Sequence, residues 1–318
     1  MIINKTDIYK IRVIRKEDCQ KDYKPFRNST IEEKGQHRIL RKMVNIGFIK
    51  MGNLGMSQVI NLIQDEIAAR EGITVRVFGT GAKMGPADAA DTESFKQWNA
   101  DFVVIISPNA AAPGPTAARE IWKDVPCIVV SDGPTKKEAR EAFEQEGFGY
   151  IILPVDPLIG AKREFLDPVE MASFNSDAMK VLSICGVVRL IQEELDKVTE
   201  QVASGKSGKD LELPHIFAKP EKCVEHAGFA NPYAKAKALA ALHMAEKVAQ
   251  VNFPACFMLK EIDQVCLTAA AGHEIMGAAA QLATQAREIE KSNDTVFRQP
   301  HAKSGALLKK VRLYEKPE

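Results

Sequence analysis

The 318-residue sequence lacks most of the short motifs that identify enzyme classes. It contains no Walker loop, no nucleophile elbow, no histidine pair at metal-ligand spacing and no lysine motif of the Schiff-base type. Its longest apolar stretches, FVVIIS and CIVV, have the length of buried strands and are far shorter than a membrane span. Nothing resembles a signal peptide, since charged and apolar residues alternate at the N-terminus. We therefore expect a cytoplasmic protein without a membrane partner.

Cysteine is sparse, and none of the six cysteines forms a C-x-x-C pair. Several of them lie in apolar runs, which predicts reduced, buried thiols. Cys223 and His226 are a Cys/His couple at ligand-like spacing, but the second couple that a structural zinc site needs is missing. The sequence therefore predicts no metal.

A strong net charge is also missing, although the N-terminal segment differs from the rest. The total is +1, but residues 1–42 carry twelve Lys/Arg and six Asp/Glu, which leaves −5 for the remainder. A mildly acidic body argues against nucleic acid as the main partner, because phosphate binding needs a basic face. Residues 1–42 are expected to be a solvated, poorly packed extension, and binding to RNA or lipid head groups is the alternative.

From Met43 onwards, strand-like and helix-like segments alternate. The strand-like segments are continuous runs of Val and Ile, which are typical of strands covered on both faces. Five such repeats with short connections predict an α/β domain over residues 43–157, built on a doubly wound parallel sheet. The predicted strands are 44–49, 74–79, 101–107, 127–132 and 150–155, with helices near 57–70, 87–98, 114–123 and 134–146.

After Asp156 the strand signal stops, and residues 158–292 predict a helical bundle. Asp167, followed by Pro168 and Glu170, is a capping-box pattern that begins the first long helix. The later landmarks are a linker at 204–214, a helix start at Asn231 and Pro232, an Ala-rich helix over 263–292 and a small C-terminal segment, 293–318, with the pattern of a hairpin.

Loops rich in Gly, Pro and Asn follow the predicted strands. The carboxyl ends of parallel strands share one edge of a sheet, and ligands bind beyond that edge in open sheets. Each loop taken alone is also explained as a tight turn or a helix start, but together the loops favour a binding cleft. The candidate ligand-binding residues are Gly52, Asn53 and Gly55 after the first strand and Ser107, Pro108 and Asn109 after the third.

The acidic residue that an NAD-binding fold places after its second strand is missing. The sequence there is Gly79-Thr80-Gly81-Ala82-Lys83, which argues against NAD. The rim of the cleft carries cations suited to an anionic ligand with a phosphate or several carboxylates. They are Lys83, Lys136, Lys137, Lys162 and Arg163, of which we expect about two to contact a ligand, because surface lysines are mostly solubilising.

A cleft without an obvious acid, base or nucleophile favours chemistry carried by a cofactor. Hydride transfer is the leading case, because the protein need only align two rings and set the local electrostatics. Two histidines are hard to place from the sequence. His273 fits either a core or interface position or the lining of the site, and His301 lies in the tail.

Several long segments of the chain have an unusual sequence. They are IGFIKMGNLGMS, GTGAKMGP, ISPNAAAPGPTAARE, GYIILPVDPLIGAKREFLDPVEMASFNSD, FANPYAKAKALA and SNDTVFRQPHAKSGALLKKVRLYEKPE. From Met43 to the C-terminus the chain closely resembles the F₄₂₀-dependent methylenetetrahydromethanopterin dehydrogenases of archaea. Residues 1–42 depart from that pattern. We expect Met43 to be the initiator and the preceding residues to be an overextended gene assignment; an accessory segment is the alternative.

The resemblance implies a reversible hydride transfer between methylenetetrahydromethanopterin and the deazaflavin coenzyme F₄₂₀. The products are the methenyltetrahydromethanopterin cation and the reduced coenzyme, in archaeal one-carbon metabolism and methanogenesis. The resemblance also implies an enzyme without a metal, with an α/β domain, a helical bundle and a small C-terminal segment. It implies a homohexamer built as a trimer of dimers.

With these ligands, we expect the loop around Gly52 to line the deazaflavin cleft with its backbone amides and the ring to rest on residues 107–115. Positive charge develops on the one-carbon carrier as hydride leaves, so a nearby carboxylate stabilises the transition state. The candidates are Asp156, Glu164 and Asp167, although we favour the helix N-cap as the role of Asp167. Lys83 or Arg163 is expected to favour the anionic reduced ring.

Two alternatives stay open at this point. An NADP-dependent dehydrogenase would use Lys83 to bind the ribose phosphate. A non-catalytic α/β sensor would bind an anionic metabolite in the same cleft and signal to a partner through its helices. The Ala-rich helices fit a sensor and an oligomeric enzyme equally well.

Overall fold

A parallel sheet of six strands is the centre of the part of the chain that the structure describes. The structure is a computed structural model and describes residues 42–155 and 167–318. The strands are β1 Val44–Lys50, β2 Ile73–Gly79, β3 Phe102–Ser107, β4 Cys127–Asp132, β5 Gly149–Leu153 and β6 His215–Phe217. Their order across the sheet is β2-β1-β3-β4-β5-β6, and every neighbouring pair is parallel.

Two groups of helices accompany the sheet. Those between the first five strands are α1 Met56–Ala68, α2 Pro86–Asp91, α3 Pro113–Trp122 and α4 Lys137–Gln145, with a 3-10 helix at Thr92–Trp98. Those in the second half are α5 Pro168–Ile184, α6 Val187–Ala203, α7 Pro220–Ala227, α8 Pro232–Phe257 and α9 Ile262–Ser292, with a 3-10 turn at Gly208–Asp210.

Helices cover both faces of the sheet, because strand side chains alternate between two hydrophobic cores. Ile46 and Phe48 of β1 lie in a core shared with α1, α5 and α6, whereas Ile49 lies in a second core shared with α3 and α4. Trp122 fills the second core, and its indole N–H donates to the Thr92 hydroxyl over 3.0 Å. The predicted α/β class with a doubly wound parallel sheet and a helical second half is confirmed.

The first long helix of the second half is interrupted, which the sequence analysis did not predict. Gly186 separates α5 from α6 with a φ of 96°. A Cβ at this position would lie 2.0 Å from the carbonyl oxygen of Cys223 in α7. Only glycine, which has no Cβ, therefore allows α7 to pack this closely against the chain. The predicted N-cap is confirmed, since the Asp167 Oδ1 accepts from the backbone N–H of Val169 over 2.7 Å. The Glu170 side chain contacts His273, so the reciprocal bond of a capping box is not part of this cap.

The sixth strand, β6, lies just after the predicted linker, where the sequence analysis expected no strand. Tyr150 and Ile152 of β5 pair with His215 and Phe217. The strand is only three residues long, and Ile216 alone among them is buried. Such a short segment carries too little alternation for a strand to be predicted from the sequence.

The long helices α8 and α9 pack closely through small side chains. Asn231 caps α8 by accepting from the backbone N–H groups of Tyr233 and Ala234, as its sequence pattern predicts. Glu290, near the end of α9, accepts from the backbone N–H groups of Asn231 (2.7 Å) and Ala230 (3.2 Å) and from the Thr295 hydroxyl. One carboxylate thus joins two helices and the C-terminal segment.

Residues 293–318 fold back on themselves and lie against α1 and α6. Antiparallel bridges join Arg298 to Val311 and His301 to Leu307. The His301 ring contacts Glu66 of α1, and its Nε2 lies 3.7 Å from a carboxylate oxygen of Asp196 in α6. The domain boundary predicted near residue 157 lies outside the described residues, and the division into domains stays a prediction.

Three of the cysteines have the environment that the sequence predicts. Cys127, Cys185 and Cys223 are buried free thiols. Burial raises the pKa of Cys127 and Cys223 to about 12 and also raises that of Cys185. These thiols are therefore poor nucleophiles. In the described ranges no helix combines the length and apolar character needed to cross a membrane.

Candidate active site

The loops that follow β1, β2 and β3 meet at one edge of the sheet, and Gly52 lies at their junction. Its φ of 78° is in the left-handed region that favours glycine. A Cβ on Gly52 would lie 3.0 Å from the Sδ of Met84 in the second loop and 3.2 Å from the Cδ of Pro108 in the third. A side chain at this position would therefore push the loops apart.

This edge contains the point at which the strand order reverses. β1 lies between β2 and β3, so the connection after β1 leaves in one direction and the connection after β2 crosses to the other side. Backbone bonds extend the ladder past the strand ends, from Met51 N to Ile106 O (2.8 Å) and from Thr80 N to Lys50 O (3.0 Å). A crevice at such a reversal is where open parallel sheets bind ligands.

The loop after β3 is held rigidly by buried polar groups. The Ala110 N–H donates to the hydroxyls of Ser131 (2.9 Å) and Thr135 (3.2 Å). The Ala110 carbonyl accepts from the buried guanidinium of Arg119 over 2.5 Å, and the Asn109 Oδ1 accepts from the Ala111 N–H over 3.0 Å. These bonds tie the loop to the end of β4, to the loop that follows it and to α3.

Two serine hydroxyls at this edge have unusual surroundings. Ser57 lies in the first turn of α1, and Ser107 ends β3. Both side chains are buried, at 3% and 1% exposure, and neither hydroxyl has a hydrogen-bond partner in residues 42–155 or 167–318. Buried polar atoms are normally paired, so these hydroxyls are candidates for hydrogen bonds to buried water. Ser107 was predicted from the sequence as a ligand-binding residue, whereas Ser57 was not.

Lys50, the last residue of β1, is a cation that the sequence analysis did not single out. Its side chain is half-buried, and burial lowers its pKa. By alternation it lies on the same face as Phe48, which is the face covered by α1 and α5. The available signal is a lysine at the end of a strand face that otherwise carries Val44, Ile46 and Phe48. This pattern predicts a charged group placed directly at the crevice.

The predicted rim cations differ in position. Lys83 is exposed in the second loop, where its backbone carbonyl accepts from the Thr80 hydroxyl over 2.5 Å. Lys136 is exposed at the N-cap of α4, and Lys137 pairs with Glu141 over 3.4 Å. Arg163 and Lys162 lie outside the described residues.

The predicted carboxylates are only partly described. Asp167 is the N-cap of α5, and its Oδ1 accepts from two backbone N–H groups, those of Val169 and Glu170. Asp156 and Glu164 lie in the segment between the two described ranges. The cap role favoured for Asp167 is therefore confirmed, and the catalytic role of all three carboxylates stays a prediction.

His273 belongs to α9, and its ring packs against α5. Its Nδ1 is 2.6 Å from a carboxylate oxygen of Glu170, and its ring centroid is 4.2 Å from that of Phe174. The ring is buried, whereas the Glu170 side chain is 43% exposed. The buried ring of His273 thus holds the Glu170 carboxylate in position in the first turn of α5. From the sequence, Glu170 was predicted only as part of a helix cap.

A cavity of about 1040 Å³ lies at the opposite edge of the sheet. Its walls include Val44 and Ile73, which begin β1 and β2, and the tail residue Leu307. Parallel sheets do not bind ligands at this edge, so we place the site at the strand-end loops despite the size of the cavity. In the described ranges no cluster of three or more His, Cys, Asp or Glu side chains has the arrangement of a metal site.

The model of the methylene-5,6,7,8-tetrahydromethanopterin dehydrogenase family matches residues 44–318. The chain belongs to this family. The match includes every strand-end loop described above, and the resemblance read from the sequence is confirmed.

Members of the dehydrogenase family align with this chain over their whole length. The F₄₂₀-dependent methylenetetrahydromethanopterin dehydrogenase of Methanosarcina acetivorans is 96% identical over 279 residues, which cover 88% of this chain and 100% of the relative. The enzyme of the same name from Archaeoglobus fulgidus is 51% identical over 276 residues, which cover 87% and 100%.

A solved structure of the dehydrogenase family has the same fold. It superimposes with a TM-score of 0.80 at 40% identity, covering 87% of this chain and 100% of the solved one. That protein is an F₄₂₀-dependent methylene-tetrahydromethanopterin dehydrogenase in complex with methylene-tetrahydromethanopterin and coenzyme F₄₂₀.

Proposed function

We propose that the chain catalyses reversible hydride transfer between 5,10-methylenetetrahydromethanopterin and coenzyme F₄₂₀, giving 5,10-methenyltetrahydromethanopterin and the reduced coenzyme. The observation that carries this proposal is the 96% identity with a dehydrogenase of that name over its whole length. Because so few residues differ between the two sequences, we expect both proteins to catalyse the same reaction. We assign the reaction to archaeal one-carbon metabolism and methanogenesis.

The crevice at the strand reversal fits a flat, anionic coenzyme. Gly52, Asn53 and Gly55 bring backbone N–H groups to its first wall, and Ser107, Pro108 and Asn109 form the second. The N-terminus of α1 begins directly after the first loop, so its positive end faces the same space. The coenzyme supplies the hydride-accepting ring, and the chain supplies the position and the charge around it.

The exposed lysines suit the remainder of the coenzyme, which has one phosphodiester and a polyglutamate tail. Lys83 and Lys136 extend from the rim without an ion-pair partner within the described ranges. We propose that these two, with Arg163, bind the tail, in place of the contact with the reduced ring that the sequence led us to expect of Lys83 or Arg163. A few mobile cations are enough for such a ligand, because the tail takes no part in the reaction.

The reaction requires no proton transfer by the protein. The C–H bond of the methylene carbon breaks, both electrons leave with the hydrogen, and a cation remains on the unit between the two nitrogens. We propose that a carboxylate from Asp156, Glu164 or Asp167 stabilises this developing charge. The remaining requirement is alignment of the two reacting rings, which a rigid crevice provides.

Anaerobic mixing of the purified protein with both substrates tests the proposal. We expect loss of the deazaflavin absorbance only when methylenetetrahydromethanopterin and oxidised F₄₂₀ are both present. NADP in place of F₄₂₀ should give no reaction. Bleaching with NADP would support the NADP-dependent alternative, and no bleaching with either acceptor would support the sensor.

We also propose self-association, as a homohexamer arranged as a trimer of dimers, and a cytoplasmic location. Exposed apolar side chains support self-association, since monomers rarely expose contiguous apolar surface. They lie at the tip where α8 turns into α9 and are Phe253, Phe257, Met258, Ile262 and Leu267, each exposed by 49–73%. The mildly acidic body, outside residues 1–42, supports small-molecule substrates and no nucleic acid.

A further inference from the structure

Lys50 lies half-buried at the end of β1, where its ammonium group loses part of its hydration. Its backbone pairs with β2 on one side and β3 on the other, through Gly79 and Ile106. The strand is therefore fixed on both sides up to the Cα of Lys50, and Met51 beyond it is fully buried. The ammonium group has no hydrogen-bond or ion-pair partner in residues 42–155 and 167–318.

An ammonium group in this position is not explained by folding. Partial burial removes water from the group and lowers its pKa, and no anion of the described residues compensates for the lost hydration. An apolar residue would complete β1 at no such cost, because Ile46 and Phe48 precede it on the same face. The position therefore needs an anion that the described chain does not supply.

We propose that the Lys50 ammonium binds the anionic deazaflavin ring of the coenzyme and stabilises the charge that the ring gains with the hydride. This inference rests on the proposed function. The oxidised ring carries an acidic 8-hydroxyl group. When this group loses its proton, the resulting negative charge is spread over the ring. Arrival of the hydride forms one C–H bond on the ring and adds one negative charge, which Lys50 partly neutralises.

The position of Lys50 favours the ring over the tail. Hydride transfer needs a site without water, so the ring belongs at the closed end of the crevice and the tail at its open rim. Lys50 is half-buried at the strand end, whereas Lys83 and Lys136 are exposed. A charge-assisted hydrogen bond is also stronger where water is excluded.

Replacement of Lys50 tests this assignment. Lys50→Met removes the charge and keeps an unbranched side chain, and Lys50→Arg keeps the charge. Lys123→Met is the matched control, because Lys123 is exposed at the far end of α3 and pairs with Glu120 over 3.7 Å. Folding of each variant is checked by its melting temperature.

Binding is measured without turnover, by fluorescence titration with two probes. One probe is coenzyme F₄₂₀, and the other is the tail-less 8-hydroxy-5-deazaflavin riboside. We expect Lys50→Met to raise the Kd of both probes by about 10- to 100-fold, and Lys50→Arg to restore most of the affinity. Lys123→Met should leave both values unchanged.

The absorbance of the bound probes gives a second readout. A cation beside the ring stabilises its anion, so the 8-hydroxyl group of the bound ring should ionise at a higher pH in Lys50→Met than in the original protein. A lysine that only supported the fold would not move this titration.

The outcomes separate the alternatives. Weaker binding of both probes together with the shifted titration supports the proposal. Weaker binding of full F₄₂₀ alone would place Lys50 at the tail and overturn it, as would unchanged binding of both probes. If the unaltered protein binds neither probe and does not bleach F₄₂₀ with methylenetetrahydromethanopterin, the proposed function fails, and the role of Lys50 fails with it.

Discussion

Gly114 is the residue at which α3 and the second strand-end loop come closest. A Cβ at this position would lie 1.9 Å from the carbonyl oxygen of Met84 and 2.6 Å from its carbonyl carbon. These are backbone atoms, so a rotamer change cannot relieve the contact. The second and third loops owe their relative position to the absence of one side chain.

We expect Gly114→Ala to destabilise the protein by about 3 kcal/mol, the upper end for an overpacked site, and to weaken coenzyme binding. The loop at Met84 must move, and Met84 also contacts the position of Gly52. Thermal unfolding and the F₄₂₀ titration measure the two effects. Gly79→Ala is the control, because a Cβ on Gly79 would meet nothing within 4 Å and its φ needs no glycine. Equal melting temperatures for both variants would contradict this account.

The carboxylates of Asp156 and Glu164 are predicted to act through charge alone. Asp156→Asn and Glu164→Gln keep the shape and remove the charge. We expect at least one of them to lower kcat by about 10- to 100-fold without abolishing turnover, as the loss of one charge-assisted interaction would. Steady-state kinetics with kcat and KM determined separately checks this, because the effect belongs to the transition state.

Asp167 needs a separate pair of variants, since its Oδ1 caps α5. Asp167→Asn keeps a capping oxygen, and Asp167→Ala loses it at a cost of about 1 kcal/mol of stability. We expect lower stability from Asp167→Ala and unchanged turnover from Asp167→Asn. Alanine at Asp156, Glu164 and Asp167 with no change in turnover would refute the electrostatic mechanism.

At the scale of whole elements, Glu290 connects α9 to the start of α8 and to the C-terminal segment. Burial alone would raise the pKa of Glu290, but the Thr295 hydroxyl and the backbone N–H groups of Asn231 and Ala230 hold the pKa below its ordinary value. The ionised carboxylate therefore stabilises the folded state. This contribution is complete above the unfolded pKa, about 4.3, and is lost as the pH falls through the lower folded pKa.

We expect Glu290→Gln to lower the melting temperature most at neutral pH, and the difference from the original protein to shrink below about pH 4. Thermal unfolding followed from pH 7 to pH 3 measures this difference. Glu288→Gln is the matched control, because Glu288 is exposed and its ion pair among the described residues is with the surface residue Lys291, three positions further along α9. A difference that grows on acidification would reverse the sign argued here.

The elements that the sequence predicts well are those with a strong local signal. β1, β3 and β4 are continuous apolar runs, and the caps at Asp167 and Asn231 need only adjacent residues. The break at Gly186 depends on the backbone of Cys223, which is distant in sequence. A glycine within a helical pattern does not reveal such a contact.

The same limit applies to the candidate site. The strand-end loops around Gly52 and Ser107 follow from strand geometry, so their residues were predictable. Lys50 and Ser57 were missed because their importance depends on burial, which arises only when α1 packs on the sheet. Glu170 was read as a cap because its contact with His273 joins two helices that are far apart in sequence.

At the scale of the whole molecule, the apolar tip of α8 and α9 gives a testable account of assembly. Phe257 and Leu267 are 65% and 73% exposed on either side of the turn. We expect the double variant Phe257→Glu, Leu267→Glu to fall from a hexameric to a smaller mass, because charge cannot be buried in an apolar contact. Light scattering coupled to size-exclusion chromatography measures the mass.

Tyr314→Glu is the control for this experiment, because Tyr314 is 94% exposed in the C-terminal segment, away from the tip. It should leave the mass unchanged. An unaltered mass for the double variant would place the subunit contacts elsewhere, and a monomeric original protein would refute self-association itself.

The pairing of β6 with β5 has a consequence for biosynthesis. β6 joins the sheet only after α5 and α6 have left the ribosome, because both helices lie between Tyr150 and its partner His215 in the sequence. Until then, β5 presents unpaired backbone groups along an apolar edge. Nascent chains on neighbouring ribosomes can therefore pair with one another along this edge. For the same reason, the yield of refolding from denaturant should fall steeply as the protein concentration rises. Pairing of His215–Phe217 with β5 thus covers an edge that would otherwise be open to other chains.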